Sequence, residues 1–310
     1  MSGQERRRVV PAAVSDAATV GAYRLGSLAA RLMPGPVAAA AASTLGYGAG
    51  VLSQSRRDMI ERHLRRADPS LTGPALRIAA QQAFESYARY YVESFRLPSL
   101  SARRVDRSFS VDGFEHIPAA LEKGNGCIFA LPHLGGWEWA GRWMTDQGYR
   151  LTVVVEALEP PELFEWFADL RKELGMTVVP TGPAAGAAVM TALRENQIVC
   201  LLSDRDIERN GVEVDFFGER TTLPAGPAML SLRLGAPVLP IGVYFTPRPD
   251  GHHAVVRPPL VAERRDGLRA DVARVTQDLA RELEVLIRRA PEQWHLFSPN
   301  WPSDPGYGAE

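Results

Sequence analysis

Residues 127–141, CIFALPHLGGWEWAG, join an uninterrupted apolar run to a histidine, two glycines and an acidic residue set between tryptophans. The run Cys127–Leu131 has no polar position and is too short for a helix, so it reads as a strand buried on both faces. Residues 132–136 then make an exit loop, and a helix begins near Trp137. Working outward, LTVVV (151–155), residues 177–179, 198–203 and 238–244 repeat the apolar run. Helical stretches separate them: one opened by Pro160, Pro161 and Glu162 and closed at Gly175, one over 184–194 and one after Gly226. This alternation predicts an α/β fold, with a mostly parallel central sheet flanked by helices. A strand near 254–256 and an Arg-rich amphipathic helix over 268–289 close the chain.

The first hundred residues are of another kind. Leu25, Leu28 and Leu32 form one helical stripe within 12–33, with Arg24 and Arg31 seven apart beside it. Within 74–97, Phe84, Tyr87, Ala88, Tyr91 and Phe95 recur at helical spacing until Pro98 stops the run, and such a stripe reads as core. We therefore expect an all-helical N-terminal section over 1–100 and an α/β core over 101–310. Without an internal repeat or flexible linker, the two make a single domain over 1–310. Residues 32–55 carry no charge, but Ala, Gly, Pro34 and Pro36 make them too weakly apolar to span a bilayer. No signal-peptide core follows Arg6–Arg8 either. The expectation is a cytoplasmic protein that lies on a membrane without crossing it.

Composition narrows the class. The 310 residues, 45% hydrophobic with a formal net charge of −1, exclude disorder, collagen-like repeats and coiled coil. Near-neutrality argues against nucleic acid as a partner. Charge is uneven, however: residues 1–70 hold ten Arg against five acidic residues, which suggests an anionic lipid or phosphate surface. Cys127 and Cys200 offer no metal spacing and fit a reducing compartment.

In open parallel sheets, ligands bind beyond the carboxyl ends of the strands. Three strands end in such residues: His133 after CIFALP, Glu156 after LTVVV and Asp204 after IVCLLS. Five positions on one continuous helix separate side chains by about 140°. His133 and Glu138 can therefore meet only if His133 sits in the glycine loop and Glu138 in the first helical turn, where a carboxylate is favoured and can orient an imidazole base. Arg205 and Asp206 are expected to brace the rim through a salt bridge. Phe216, Phe217 and Gly218, with Thr221, Thr222, Pro224 and Gly226, read as a turn into a helix whose free N–H groups suit a phosphate or an oxyanion. His252 and His253 read as a polar turn, His63 as structural or exposed, and Trp294 as a packing residue. Trp137, Trp139 and Trp143 are candidate walls of an apolar tunnel.

LPHLGGWEWAG (131–141) resembles the H-x4-D/E motif of the glycerolipid acyltransferase superfamily, in the branch of the late lipid A acyltransferases and the phosphatidylinositol mannoside acyltransferases. The resemblance extends to SYARYYVESFRLP (86–98), FADLRKELG (167–175), VCLLSDRD (199–206), NGVEVDFFGE (210–219), TTLPAGPAML (221–230) and PEQWHLFSPNW (291–301). It implies acyl transfer from acyl-CoA as co-substrate, palmitoyl-CoA being a fitting donor, to a mannose hydroxyl of a phosphatidylinositol mannoside. No other cofactor is implied. Glycolipids of other kinds and non-catalytic lipid binding remain the alternatives. His133 is the implied base, Glu138 fills the acidic position of the motif, and Asp204 matches an acidic residue that pairs with the histidine; which carboxylate holds His133 stays open. Arg171 is implied near anionic groups of the acceptor or CoA, and Glu156 near the sugar. With the basic front end, the resemblance implies monotopic, peripheral docking at the cytoplasmic face of the cell membrane.

Overall fold

A computed structural model describes residues 12–156 and 160–308. Residues 1–11, with Arg6–Arg8 of the basic front end, lie outside the described residues. Four helices open the chain: α1 (Ala12–Leu32), α2 (Gly35–Leu52), α3 (Gln54–Ala67) and α4 (Gly73–Arg96). Then follow α5 (Ala102–Arg107), β1 (Phe109–Asp112), α6 (His116–Leu121), β2 (Cys127–Leu131), α7 (Trp137–Asp146), β3 (Leu151–Val155), α8 (Pro161–Glu173), β4 (Thr177–Pro180), α9 (Ala185–Arg194) and β5 (Ile198–Leu202). The chain continues through β6 (Val212–Phe216), β7 (Glu219–Leu223), α10 (Gly226–Leu234), β8 (Val238–Phe245), β9 (His252–Val256) and α11 (Leu268–Arg288).

Seven strands form the central sheet in the order β1-β9-β8-β2-β5-β3-β4, parallel at every pairing except β8 with β9. Both faces are covered, as the unbroken apolar strands require. Ile128 and Ala130 pack with Val189 of α9 and Leu279 and Leu283 of α11, while Cys127, Phe129 and Leu131 face Trp139 and Met144 of α7. β2 pairs with β5 in the register Leu131 opposite Leu202, so their carboxyl ends emerge side by side.

Two local expectations are corrected. His252 and His253 belong to β9, not to a turn. Residues 212–223 form an antiparallel hairpin, β6–β7, separate from the main sheet. Phe217 and Gly218, with φ of 53° and 76°, are its two-residue turn, so they do not lead into a helix. The Leu25, Leu28 and Leu32 stripe faces outward, 58–78% exposed, and α1 buries Val20, Ser27 and Ala30 instead.

The helical section is bound to the sheet by ionic and aromatic contacts. Arg96 of α4 pairs with Asp250 at 2.6 Å, both side chains buried, and Asp250 also takes Arg104 at 2.6 Å. Burial opposes the charge on Asp250, but the bonds from Arg104 and Arg96 prevail and hold its pKa below the usual value. Tyr23, Tyr91, Phe95, Trp166 and Phe167 gather α1, α4 and α8 around one aromatic cluster.

Helix α2 explains its Ala and Gly content by its neighbour. It buries Gly35, Ala38, Ala42, Gly46 and Gly50, three or four apart, and a methyl group at Gly46 would collide with the Glu85 Cα of α4. Gly48, on the other side, has open space. Gly46→Ala is therefore expected to lower the melting temperature although Ala favours helix. Gly48→Ala is expected to stabilise by about 0.5–1 kcal/mol. Paired thermal melts check both signs.

Candidate active site

His133 leaves β2 in the Pro132–Gly136 loop with its side chain about a quarter exposed. Its Nδ1 lies 2.7 Å from Asp204 Oδ1, and its backbone N–H donates to Asp204 Oδ2 at 3.0 Å. Asp204 is fully buried just beyond β5. Oδ2 also accepts the indole N–H of Trp294 at 2.7 Å, and the Asn300 amide donates to the Asp204 carbonyl at 3.1 Å. Burial alone would raise the Asp204 pKa. The charge and hydrogen bonds of His133, together with the Trp294 indole, outweigh it and keep the pKa low. A carboxylate on Nδ1 selects the tautomer with its proton there, leaving Nε2 with a free lone pair.

Glu138 takes a different post. It begins α7, as expected, but its Oε1 accepts Arg171 of α8 at 3.0 Å from Nε and 2.5 Å from Nη2, and the Tyr90 hydroxyl of α4 at 3.2 Å. All three side chains are largely buried. For Arg171, burial opposes the charge and Glu138 overcomes it, raising the pKa. Burial and Glu138 together push Tyr90 far up, so its hydroxyl keeps its proton and donates. The geometry assigns the His133 contact to Asp204 and a bridge from α7 to α8 to Glu138.

Glu156 and Arg205 meet at 3.5 Å on the exposed rim. The brace expected between Arg205 and Asp206 is absent among the described residues. Arg205 reaches Glu156 instead, and Asp206 caps the backbone N–H of Gly211 at 2.8 Å. Phe217 and Gly218 are not an open anion cradle. The Phe217 N–H is taken by Glu284 at 2.7 Å, and its buried ring packs 5.5 Å from Trp294 under Arg288.

Between α7 and the sheet lies an apolar cavity of about 90 Å³, walled by Phe129, Val153, Cys200 and Ile241 below and by Trp137 and Trp143 above. Glu138 and Arg171 supply polar groups to its lining. Trp139 does not take part, being buried and stacked on His252 at 4.4 Å. Trp137 joins the cavity to the imidazole, its ring 5.8 Å from that of His133.

Trp294 is the site residue that sequence reasoning missed, having been read as packing. Its signal was present, since a buried indole requires an acceptor for its N–H.

An imidazole held by a buried carboxylate, on the rim of a parallel sheet and beside an apolar cavity, is an arrangement able to activate a hydroxyl next to a hydrocarbon chain. The family model described as bacterial lipid A biosynthesis acyltransferase matches residues 14–303, and the chain belongs to this family of acyltransferases. The chain is 40% identical to a Mycobacterium tuberculosis protein named phosphatidylinositol mannoside acyltransferase over 227 residues, 72% of this chain and 70% of the relative. It is 37% identical to a Mycolicibacterium smegmatis protein of the same name over 266 residues, 83% and 84% of the two chains.

Asp204, with its lowered pKa, contributes stability that is present above the ordinary carboxylate range and lost as pH falls through the folded value. Urea midpoints of the wild type and Asp204→Asn should thus converge in acid and separate toward neutrality. Arg171→Ala, which strands a buried Glu138, is expected to cost about 3–5 kcal/mol in the same assay at pH 7.

Proposed function

We propose that the chain transfers a fatty acyl group from an acyl-CoA thioester such as palmitoyl-CoA to a mannose hydroxyl of a phosphatidylinositol mannoside. The observation carrying this reading is the 2.7 Å contact of His133 Nδ1 with buried Asp204, next to the apolar cavity. The acceptor is suggested by the names of the mycobacterial relatives.

In this reaction His133 Nε2 takes the proton of the sugar hydroxyl as its oxygen bonds to the thioester carbonyl carbon. The carbon–sulfur bond then breaks, the thiolate takes the proton back from the imidazolium, and the ester and free CoA leave. Asp204 stays ionised and balances the transient positive charge. Transfer is direct, with no acyl-enzyme. The cavity under α7 receives the acyl chain, and Arg171, lining it, faces anionic groups of acceptor or CoA. Glu156 serves the sugar. Its exposed bridge to Arg205 is worth about 0–1 kcal/mol and yields readily to hydroxyls.

We place the protein peripherally, at the cytoplasmic face of the membrane. Leu25, Leu28, Leu32, Leu45, Val51 and Leu52 of α1 and α2 are all 58% exposed or more, a grouping that favours an apolar surface over water. Among the described residues, no helix is long and apolar enough to cross a membrane. Each basic side chain near an anionic surface adds about 1 kcal/mol.

The test is CoA release from palmitoyl-CoA with and without a mannosylated phosphatidylinositol, with mass spectrometry of the product. His133→Ala is expected to cost about 10²–10⁴ in acceptor-dependent rate with unchanged circular dichroism. Release by the variant equal to wild type, or release indifferent to the acceptor, overturns the reading. Asp204→Asn is expected to lower kcat more than Glu138→Gln, since Asp204 alone touches the base.

A further inference from the structure

After α11 the chain returns across the carboxyl ends of the sheet strands. The Gln293 side chain pairs with both backbone groups of Phe245 in β8, accepting at 2.7 Å and donating at 3.2 Å. Its carbonyl accepts the Gly135 N–H at 3.0 Å, and the His295 N–H donates to the His133 carbonyl at 2.7 Å. Leu134 and Trp294 thus form an antiparallel bridge. Further on, the Ser298 carbonyl meets His63 at 3.0 Å, Thr221 donates to the Asn300 carbonyl, and the Trp301 indole donates to the Phe216 carbonyl at 3.1 Å. Asp304 closes the segment by accepting the N–H groups of Asn300 and Trp301. Residues 293–304 are therefore a strap laid over the loop that carries His133.

We infer that this strap is part of the catalytic centre, with Trp294 as the positioning residue that aims the Asp204 carboxylate at His133. Two donors share Asp204 Oδ2, the His133 N–H and the Trp294 indole, and together they turn Oδ1 onto the imidazole. Trp294 is 3% exposed, and Phe217 and Trp301 confine its ring. The indole is rigid, donor-only and lacks an ionisation of its own, so it fixes the carboxylate without competing for its proton. This role rests on the reading of His133 as the base.

The test compares Trp294→Phe with Trp139→Phe. Both remove a buried indole N–H, but the Trp139 indole donates to the Val105 carbonyl, outside the strap and away from Asp204. We expect both variants to melt earlier. Trp294→Phe alone is expected to lower kcat, by about tenfold, with KM unchanged. Equal losses of kcat in the two variants, or a raised KM with kcat unchanged in Trp294→Phe, overturn the inference.

A second readout needs neither turnover nor a folded Trp294→Phe. In the wild type labelled with ¹⁵N at its six tryptophans, the indole N–H groups of Trp294, on Asp204, and of Trp143, on Asp106, should titrate in acid, and only the first should be displaced by Asp204→Asn. Indole signals that are all indifferent to Asp204→Asn also overturn it. A wild type that transfers no acyl group defeats the proposed reaction, while the indole titration still decides the contact.

Discussion

One buried carboxylate organises this molecule. A fully buried anion is stable only when its oxygens are satisfied, and leaving one unpaired costs several kcal/mol. Asp204 meets that demand with donors from two distant segments, the His133 ring and N–H on the exit of β2 and the Trp294 indole on the C-terminal strap. Its backbone carbonyl adds Asn300 from the same strap. The end of the chain is thereby tied to the middle, and the imidazole is presented in one tautomer with its other nitrogen free.

Asp204 and Glu138 divide between them tasks that a single carboxylate could not perform. Asp204 follows the neighbouring strand, β5, and meets the ring at Nδ1. Glu138 starts a helix, so its side chain points away from the loop toward α4 and α8, where Tyr90 and Arg171 complete its bonds. The H-x4-E spacing therefore fixes the wall of the cavity and leaves His133 to Asp204. A mutually neutralised Glu138–Arg171 pair can line an apolar cavity at a cost that a lone charge there could not meet.

Legibility followed the length scale of the interaction. The strands at 127–131, 151–155 and 198–202 and the helices between them could be read because their burial leaves local periodicity. The hairpin 212–223 was equally local: Val212, Val214 and Phe216 alternate with Glu213 and Asp215, yet the glycines and prolines around it were read as loop chemistry. His133, Glu156 and Asp204 were legible as strand ends. Their partners were not, because the choice between Asp204 and Glu138 depends on β2 lying next to β5, which is a property of strand order. Trp294 lies 90 residues from the carboxylate it serves, a contact that no spacing rule reports.

The front end follows the opposite logic, since there the informative feature is what stays unburied. Helix α2 meets α4 through Gly46 and its alanines so closely that a larger side chain has no room, and this pushes its leucines and valines outward. Helix α1 does the same, burying Ala30 and exposing Leu25, Leu28 and Leu32. In water alone such an arrangement wastes the strongest apolar groups and buries the weakest, so folding gains little from it. It becomes economical once the outer face meets hydrocarbon, because the small residues then serve the helix contact and the large ones the second medium. Tyr23 and Phe95 carry that surface inward to Phe167, one helical turn from the Arg171 that lines the cavity. The exposed apolar face of α1 and α2 thus stands on the side of the molecule that leads to the cavity beside His133.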